Sequence, residues 1–130
     1  MFSIQQIKEA HSKVKSGADF PQYMQDIIAL GVTSFETFVF DNHTDYYGAN
    51  DYKITSEGFA KTLIIAENSN KNRFMLDLKA HQEGRTDYMT FLSDCANSGI
   101  EKWIVVMDTM TCSYYDKAGN KMLVEVIPEA

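Results

Sequence analysis

The chain contains few cysteines, few prolines and no long hydrophobic run. Cys95 and Cys112 have neither a CxxC nor another ligand spacing, which predicts two free thiols and argues against a disulfide framework or a zinc site. The longest apolar runs, Trp103 to Met107 and Leu63 to Ala66, are too short to cross a bilayer. Residues 1–14 lack the continuous apolar stretch of a signal peptide. Together these absences predict a soluble, cytoplasmic protein with no membrane partner.

The sequence also lacks a run of basic residues. Eighteen acidic and twelve basic residues give a net charge of −6, and the lysines and arginines are scattered. Nucleic acid is bound through clustered cations, so it is not an expected partner. The sequence has no nucleophile elbow, phosphate loop or zinc-finger spacing either, which favours a noncatalytic protein and leads us to expect no cofactor.

Hydrophobic residues, by contrast, are abundant enough for one core. They make up 45% of the 130 residues, and 12% are aromatic. A chain of this length buries roughly two-thirds of the surface that its unfolded form exposes. We therefore expect a single domain over residues 1–130.

Two helices are predicted at the start of the chain. Ser3 can cap a helix with apolar residues at helical spacing, and Gly17 would end it. Asp19 is the N-cap candidate of a second helix, which Gly31 would close.

The strands that follow are predicted from β-branched and aromatic residues. Val32 to Phe40 and Thr44 to Tyr47 form a hairpin around the turn Asp41 to His43. Ala49 to Gly58 is polar and is predicted to be a connection that leads to a third strand around Lys61 to Glu67.

The second part of the chain repeats this order. A helix begins within Asn68 to Asn72 and ends at Gly84, and another extends from its cap Asp87 to Gly99. Three strands are predicted after it, at Lys102 to Asp108, Thr111 to Tyr115 and Met122 to Ile127.

The two parts align at a displacement of sixty-eight residues, for example Asp19 with Asp87, Gly31 with Gly99 and Tyr46-Tyr47 with Tyr114-Tyr115. Beyond Tyr47 the predicted third strand requires a shift of eight, which makes residues 49–58 an insertion. Duplication predicts similar halves at about 3–67 and 69–128; the alternative is chance similarity of amphipathic helices. The expected fold is α+β, with ααβββ repeated and the helices packed on one face of an antiparallel sheet, in one sheet or two.

Several segments carry a resemblance to a known family. They are Ile4 to His11, Leu30 to Ser34, Asp41 to Gly48, Lys79 to His81 and Gly99 to Trp103. Over essentially its whole length the chain resembles the YbcV-like group of small uncharacterised bacterial and prophage proteins, often labelled "phage envelope protein". The resemblance implies a mobile-element context, a structural role in a phage particle being one reading of the label, and implies no activity or ligand.

Two groups of residues could support chemistry. His11 and His81 lie on the apolar faces of the first helix of each half, where they could form a paired site or be ordinary core histidines. Asp41, His43 and Asp45 alternate, so an extended segment would project all three from one face and could hold a divalent metal or orient a histidine base. The same residues are also good turn formers.

The aromatic residues of the strands suggest a binding surface. Adjacent tyrosines project to opposite faces of a sheet, so one of each pair is expected beneath the helices and the other on the open face. Such a face could bind a small apolar or aromatic ligand or another copy of the chain, although ordinary cross-strand packing is the alternative. The candidate residues are Tyr46, Tyr47, Tyr52, Trp103, Tyr114 and Tyr115. The sequence thus favours a noncatalytic ligand-binding or interaction module, homo-oligomeric, over a small enzyme at Asp41, His43 and Asp45.

Overall fold

The structure, a computed structural model, describes residues 1–15, 19–58 and 62–127. These residues form four helices and six strands in the predicted order. The helices are α1 (Ile4–His11), α2 (Phe20–Leu30), α3 (Lys71–Gln82) and α4 (Tyr88–Asn97). The strands are β1 (Val32–Phe38), β2 (Thr44–Gly48), β3 (Lys53–Ser56), β4 (Ile100–Val106), β5 (Thr111–Asp116) and β6 (Lys121–Val126).

Polar caps determine where three of the helices begin. Ser3 forms a capping box with Gln6, in which Gln6 N–H donates to Ser3 Oγ at 3.2 Å. Asp87 accepts from the N–H of Thr90 at 2.8 Å in the same way, and Asn70 caps α3. Such caps satisfy backbone donors that have no partner within the helix.

Asp19 occupies the N-cap position of α2, as predicted, but its side chain makes no capping hydrogen bond to the helix. The Asp19 carboxylate instead accepts from the Lys15 backbone N–H at 2.9 Å. The predicted helix break at Gly17 lies outside the described residues. Gly31, as predicted, ends α2 with a positive φ of 107°.

All six strands belong to one antiparallel sheet. Their order is β3-β2-β1-β4-β5-β6, so the two halves meet where β1 pairs with β4. The predicted α+β class and the repeated helix-helix-sheet order are confirmed, and of the one-sheet and two-sheet alternatives the structure has the first.

The core lies between the helices and one face of the sheet. Alternate residues of the strands point toward the helices, as the burial pattern of β1 shows. The helices contribute the most deeply buried side chains, among them Met24, Ile27, Phe74, Leu92 and Cys95. Both cysteines are free and buried. In the described part of the chain, no helix combines the length and apolar character needed to cross a membrane.

The third strand of the first half was placed wrongly from the sequence. It is Lys53–Ser56, within the segment predicted to be an insertion, and residues 62–67 form no strand. Asn50 and Asp51 both adopt positive φ, 58° and 62°. This geometry is typical of tight hairpin turns, so the chain reverses here and β3 pairs with β2 directly.

The corrected strand extends the repeat. Tyr47 pairs with Lys53 and Tyr115 pairs with Lys121, which preserves the displacement of sixty-eight residues. The predicted shift of eight is therefore wrong. Residues 62–67 connect the two halves. Backbone hydrogen bonds hold this segment in place, from Leu63 N–H to Phe40 O (2.6 Å) and from Ala66 N–H to Ala96 O (2.9 Å).

Candidate functional site

A large cleft separates the two helix pairs. Helix α1 packs on α2 and α3 packs on α4, and the cleft between the pairs has a volume of about 1180 Å³. Small-molecule sites in proteins typically occupy roughly 300–1,000 Å³. The cleft is therefore large enough for a ligand of that class.

Aromatic side chains form the floor of the cleft. Phe35 and Tyr46 come from the first half, with ring centroids 5.6 Å apart, and Trp103 and Tyr114 come from the second, 6.1 Å apart. All four residues are at most 8% exposed. The floor presents mostly apolar ring surface, with a few polar atoms at the ring tips.

Each helix pair contributes a histidine to the cleft wall. His11 contacts the ring of Tyr23 edge-on at 5.2 Å, and His81 stacks on Phe91 at 4.4 Å. Tyr23 and Phe91 are equivalent at the repeat distance, so the two histidines occupy corresponding places. The sequence singled out both histidines, and the structure brings them to the same cleft.

The histidines differ in their hydrogen bonds. Burial lowers the pKa of His11, which favours the neutral imidazole. His81 Nδ1 lies 3.1 Å from the Thr86 carbonyl oxygen. Because that oxygen can only accept, Nδ1 carries a proton and Nε2 of the neutral ring is an acceptor.

The polar groups of the floor are uncharged at neutral pH. Burial raises the pKa of Tyr23, and its interaction with Tyr46 raises it further. Burial likewise raises the pKa of Cys112 to about 12, so this thiol is a poor nucleophile. Charged residues of both signs lie elsewhere in the lining, namely Lys8, Lys15, Glu57, Arg85, Asp87 and Glu125.

A chain of hydroxyl groups crosses the floor of the first half. Thr37 Oγ1 lies 2.9 Å from Thr44 Oγ1, and both residues are buried. Burial raises the pKa of Tyr46, and hydrogen bonds from Tyr23 and Thr44 offset part of the rise. The second half replaces the threonines by Val105 and Cys112, which occupy the same register positions.

This hydroxyl chain leads to a stability prediction. Thr44→Val leaves the buried Thr37 hydroxyl without its partner, so we expect the free energy of unfolding to fall by about 1–3 kcal/mol. Thr37→Val combined with Thr44→Val should cost less than Thr44→Val alone, because the second half already packs apolar groups there. Urea denaturation measures both. A double variant less stable than Thr44→Val would contradict the prediction.

The six predicted aromatic ligand residues do not share one surface. Tyr46, Trp103 and Tyr114 line the cleft. Tyr47 and Tyr115 are half-buried on the opposite face of the sheet, where Lys53 lies over Tyr47 and Lys102 lies over Tyr115.

Tyr52 lies apart from both groups. Its ring meets Phe2 edge-on at 4.8 Å, and its hydroxyl donates to the Phe2 carbonyl oxygen at 2.6 Å. This tyrosine therefore anchors the N-terminal segment to the β2–β3 hairpin.

The predicted metal residues are only partly brought together. Asp41 Oδ1 lies 2.6 Å from His43 Nδ1 and accepts from the His43 backbone N–H at 2.9 Å, which is Asx-turn geometry. Asp45 instead accepts from Thr55 at 2.7 Å. Within residues 1–15, 19–58 and 62–127, no three His, Cys, Asp or Glu side chains are grouped to hold a metal ion.

Sequence reasoning missed several residues of the cleft. Thr37 and Thr44 lie in predicted strands, and Tyr23 and Phe91 lie in predicted helices, but none of the four was assigned a role at a site. For Tyr23 and Phe91 the repeat contained a usable signal. They are equivalent residues, and a histidine precedes each of them by ten to twelve positions in the sequence.

The fold and cleft define a class of protein: an α+β domain in which two helix pairs cover one face of a six-stranded antiparallel sheet. The chain belongs to the family described as "Protein of unknown function (DUF1398)", which matches residues 8–126. A comparison with curated proteins found no match. The predicted relationship to a family of uncharacterised proteins is confirmed at that level, and the YbcV-like and envelope designations stay predictions.

Proposed function

We propose that the protein binds a small, predominantly apolar molecule in the cleft between its helix pairs, without a chemical step. The observation that carries the proposal is an aromatic floor, at most 8% exposed, beneath an open cleft of about 1180 Å³. A few polar groups lie among these rings, including the Tyr46 and Tyr23 hydroxyls and the His11 imidazole. A few such groups in an apolar pocket are characteristic of ligand sites.

The proposed site lies on the helix-covered face of the sheet, and not on the open face that the sequence suggested. Tyr47 and Tyr115 have their rings beneath lysine side chains, whereas Tyr46, Trp103 and Tyr114 border the open volume of the cleft. Ligand burial is greater in a cleft than on a sheet face, which favours the cleft.

Calorimetric titration with 2-acetylnaphthalene tests this location. The cleft variant His11→Trp places a larger ring on the cleft wall, so we expect at least about tenfold weaker binding, which corresponds to about 1.4 kcal/mol. The matched open-face variant, Tyr47→Ser with Tyr115→Ser, should bind as the wild type does. Loss of binding only in the open-face variant would contradict the proposal.

A second candidate is association of two copies through the open sheet face. Val124 and Val126 project from this face and are 47% and 76% exposed. They pair with Ser113 and Thr111 of β5, which pair in turn with Ile104 and Val106 of β4. An apolar surface of this kind supports self-association. Light scattering of the wild type and of Val126→Asp tests it; monomers in both samples would contradict it.

An enzymatic site at Asp41 and His43 is the third candidate. The 2.6 Å contact between the two side chains could orient the imidazole as a base. Asp45 points to Thr55, however, and His43 is stacked on Phe38 at 4.4 Å, outside the cleft lining. Saturable zinc binding that His43→Ala abolishes would support this candidate over the first.

A further inference from the structure

We infer that the ligand of this cleft carries an ammonium group on an apolar body, and that the ammonium pairs with the Glu125 carboxylate. The inference rests on the proposed function and names the ligand class of the same site. Its basis is the position of Glu125, which is partly buried, whereas the other acidic and basic residues of the described lining are exposed.

The side chain of Glu125 lies on the helix-covered face of the sheet. Glu125 pairs with Cys112, a buried residue of this face, and its neighbours Val124 and Val126 are exposed on the open face. Alternation along β6 therefore directs the carboxylate toward the helices. Glu125 lines the cleft there, beside the aromatic floor.

Two neutral donors hold the Glu125 carboxylate in position. The Tyr114 hydroxyl donates to Oε1 at 3.1 Å, and the Gln82 side-chain amide donates to Oε2 at 2.8 Å. Neither donor is a cation, and the ion pairs formed within residues 1–15, 19–58 and 62–127 do not include Glu125. An ionised carboxylate offers about four lone-pair positions, so two hydrogen bonds leave capacity for a ligand ammonium.

The aromatic rings beside this carboxylate also favour a cation. The Tyr114 ring, which carries the hydroxyl bound to Glu125, lies 6.1 Å from the Trp103 ring. The Phe91 ring follows at 5.9 Å from Trp103. Aromatic rings attract ammonium groups through their quadrupoles, and they bury the apolar part of a ligand as well. A carboxylate at one end of an aromatic surface therefore suits an amine with an apolar body.

The basic residues of the lining do not favour an anion in its place. Lys8, Lys15 and Arg85 are exposed, where an ion pair contributes little. Arg85 also lies 3.5 Å from Glu83. An anion on the aromatic floor would lie close to Glu125, and the chain as a whole carries a net charge of −6. Both the local and the overall charge thus select a cation.

Three naphthalenes of similar shape test the inference. They are the amine 1-(2-naphthyl)ethylamine, which is protonated at neutral pH, the ketone 2-acetylnaphthalene and the anion 2-naphthoate, each titrated into the protein in a calorimeter. We expect the wild type to bind the amine about tenfold more tightly than the ketone, as one charge-assisted hydrogen bond allows. Glu125→Gln keeps the shape of the side chain and should abolish this preference.

Glu57→Gln is the matched control. Glu57 is equivalent to Glu125 at the displacement of sixty-eight residues and also lines the cleft, but it is exposed. Because water screens an exposed charge, this variant should keep the preference for the amine. An equal loss of the preference in both variants would mean that the overall negative charge, and not Glu125, attracts the amine, and would overturn the inference.

The wild type alone gives three further outcomes. Equal binding of amine and ketone, or tightest binding of 2-naphthoate, would overturn the inference and leave the proposed function standing. If none of the three probes binds, the proposed function itself fails, and the inference fails with it. A preference for the amine that survives in Glu125→Gln would also overturn the inference.

A second measurement covers the case in which Glu125→Gln does not fold. The side-chain carboxyl carbon-13 resonance of Glu125 should shift saturably when the wild type binds the amine, because the ion pair forms at that carboxylate. The ketone should shift it less, and the Glu57 resonance should move little with either probe. A shift at Glu57 with none at Glu125 would overturn the inference without any variant.

Discussion

Replacing Phe74 by alanine is expected to lower the free energy of unfolding by about 3–5 kcal/mol, the range typical of Phe→Ala in a packed core. Phe74 is 0% exposed and holds α3 against the sheet, with its ring 4.9 Å from Tyr114 and 6.5 Å from Phe91. A domain of this size has a total stability of only about 5–15 kcal/mol. The substitution should therefore remove a large part of it.

Leu76→Ala is the matched control on the same helix. Leu76 is 71% exposed, so its loss should change the free energy of unfolding by no more than about 0.5 kcal/mol. Urea denaturation of the two variants measures the difference. Equal effects would mean that α3 does not pack on the sheet through Phe74.

The second large effect is expected at Gly99, where α4 ends and β4 begins. Its φ is +80°, and a Cβ there would lie 2.8 Å from Ser69 Cα and 3.0 Å from Asn68 O. Backbone atoms cannot move aside as a flexible side chain can. Gly99→Ala therefore adds a steric displacement to the cost of a left-handed alanine, for a total of about 3 kcal/mol.

Gly84→Ala separates the two contributions to this cost. Gly84 has a similar φ of +78°, but nothing lies within 4 Å of the Cβ position. Gly84→Ala should therefore lower the free energy of unfolding only by the cost of a left-handed alanine, about 1–2 kcal/mol. If both variants lose the same free energy of unfolding, the backbone of Asn68 and Ser69 does not crowd the Cβ position of Gly99.

The helices and five of the six strands could be predicted because their signals are local. Caps such as Ser3 and Asp87, and the stop at Gly31, act within one turn of the residue that makes them. The strand at Lys53–Ser56 was missed because it is short and polar and lies at the sheet edge. The Asn50-Asp51 pair, which forms the hairpin turn before this strand, was a better indication of its position.

The apolar run at Leu63 to Ala66 misled the strand prediction for a physical reason. Ile65 is buried, but Ile64 is 90% exposed, and β3 already occupies the free edge of β2. Because the edge of β2 that this run was predicted to occupy is taken by β3, the run connects the halves as an irregular segment. Hydrophobic pattern alone cannot show whether a pairing edge is free.

The cleft could not be predicted because it depends on the spacing of the helix pairs. Alternation correctly indicated that one tyrosine of each adjacent pair faces the helices and the other faces away. The structure assigns Tyr46 and Tyr114 to the helix side. Alternation could not show that the helix pairs leave an open volume above Tyr46. The sequence did single out His11 and His81 as a possible pair, and both line the cleft.

The most direct test of the cleft as a ligand site uses Trp103, the single tryptophan of the chain. Its indole N–H gives one resolved NMR signal on the cleft floor. Titration with 2-acetylnaphthalene should shift this signal saturably and give nuclear Overhauser contacts from the probe to the rings of Tyr46 and Trp103. An unchanged indole signal, with probe contacts only to Tyr47 and Tyr115, would contradict the account.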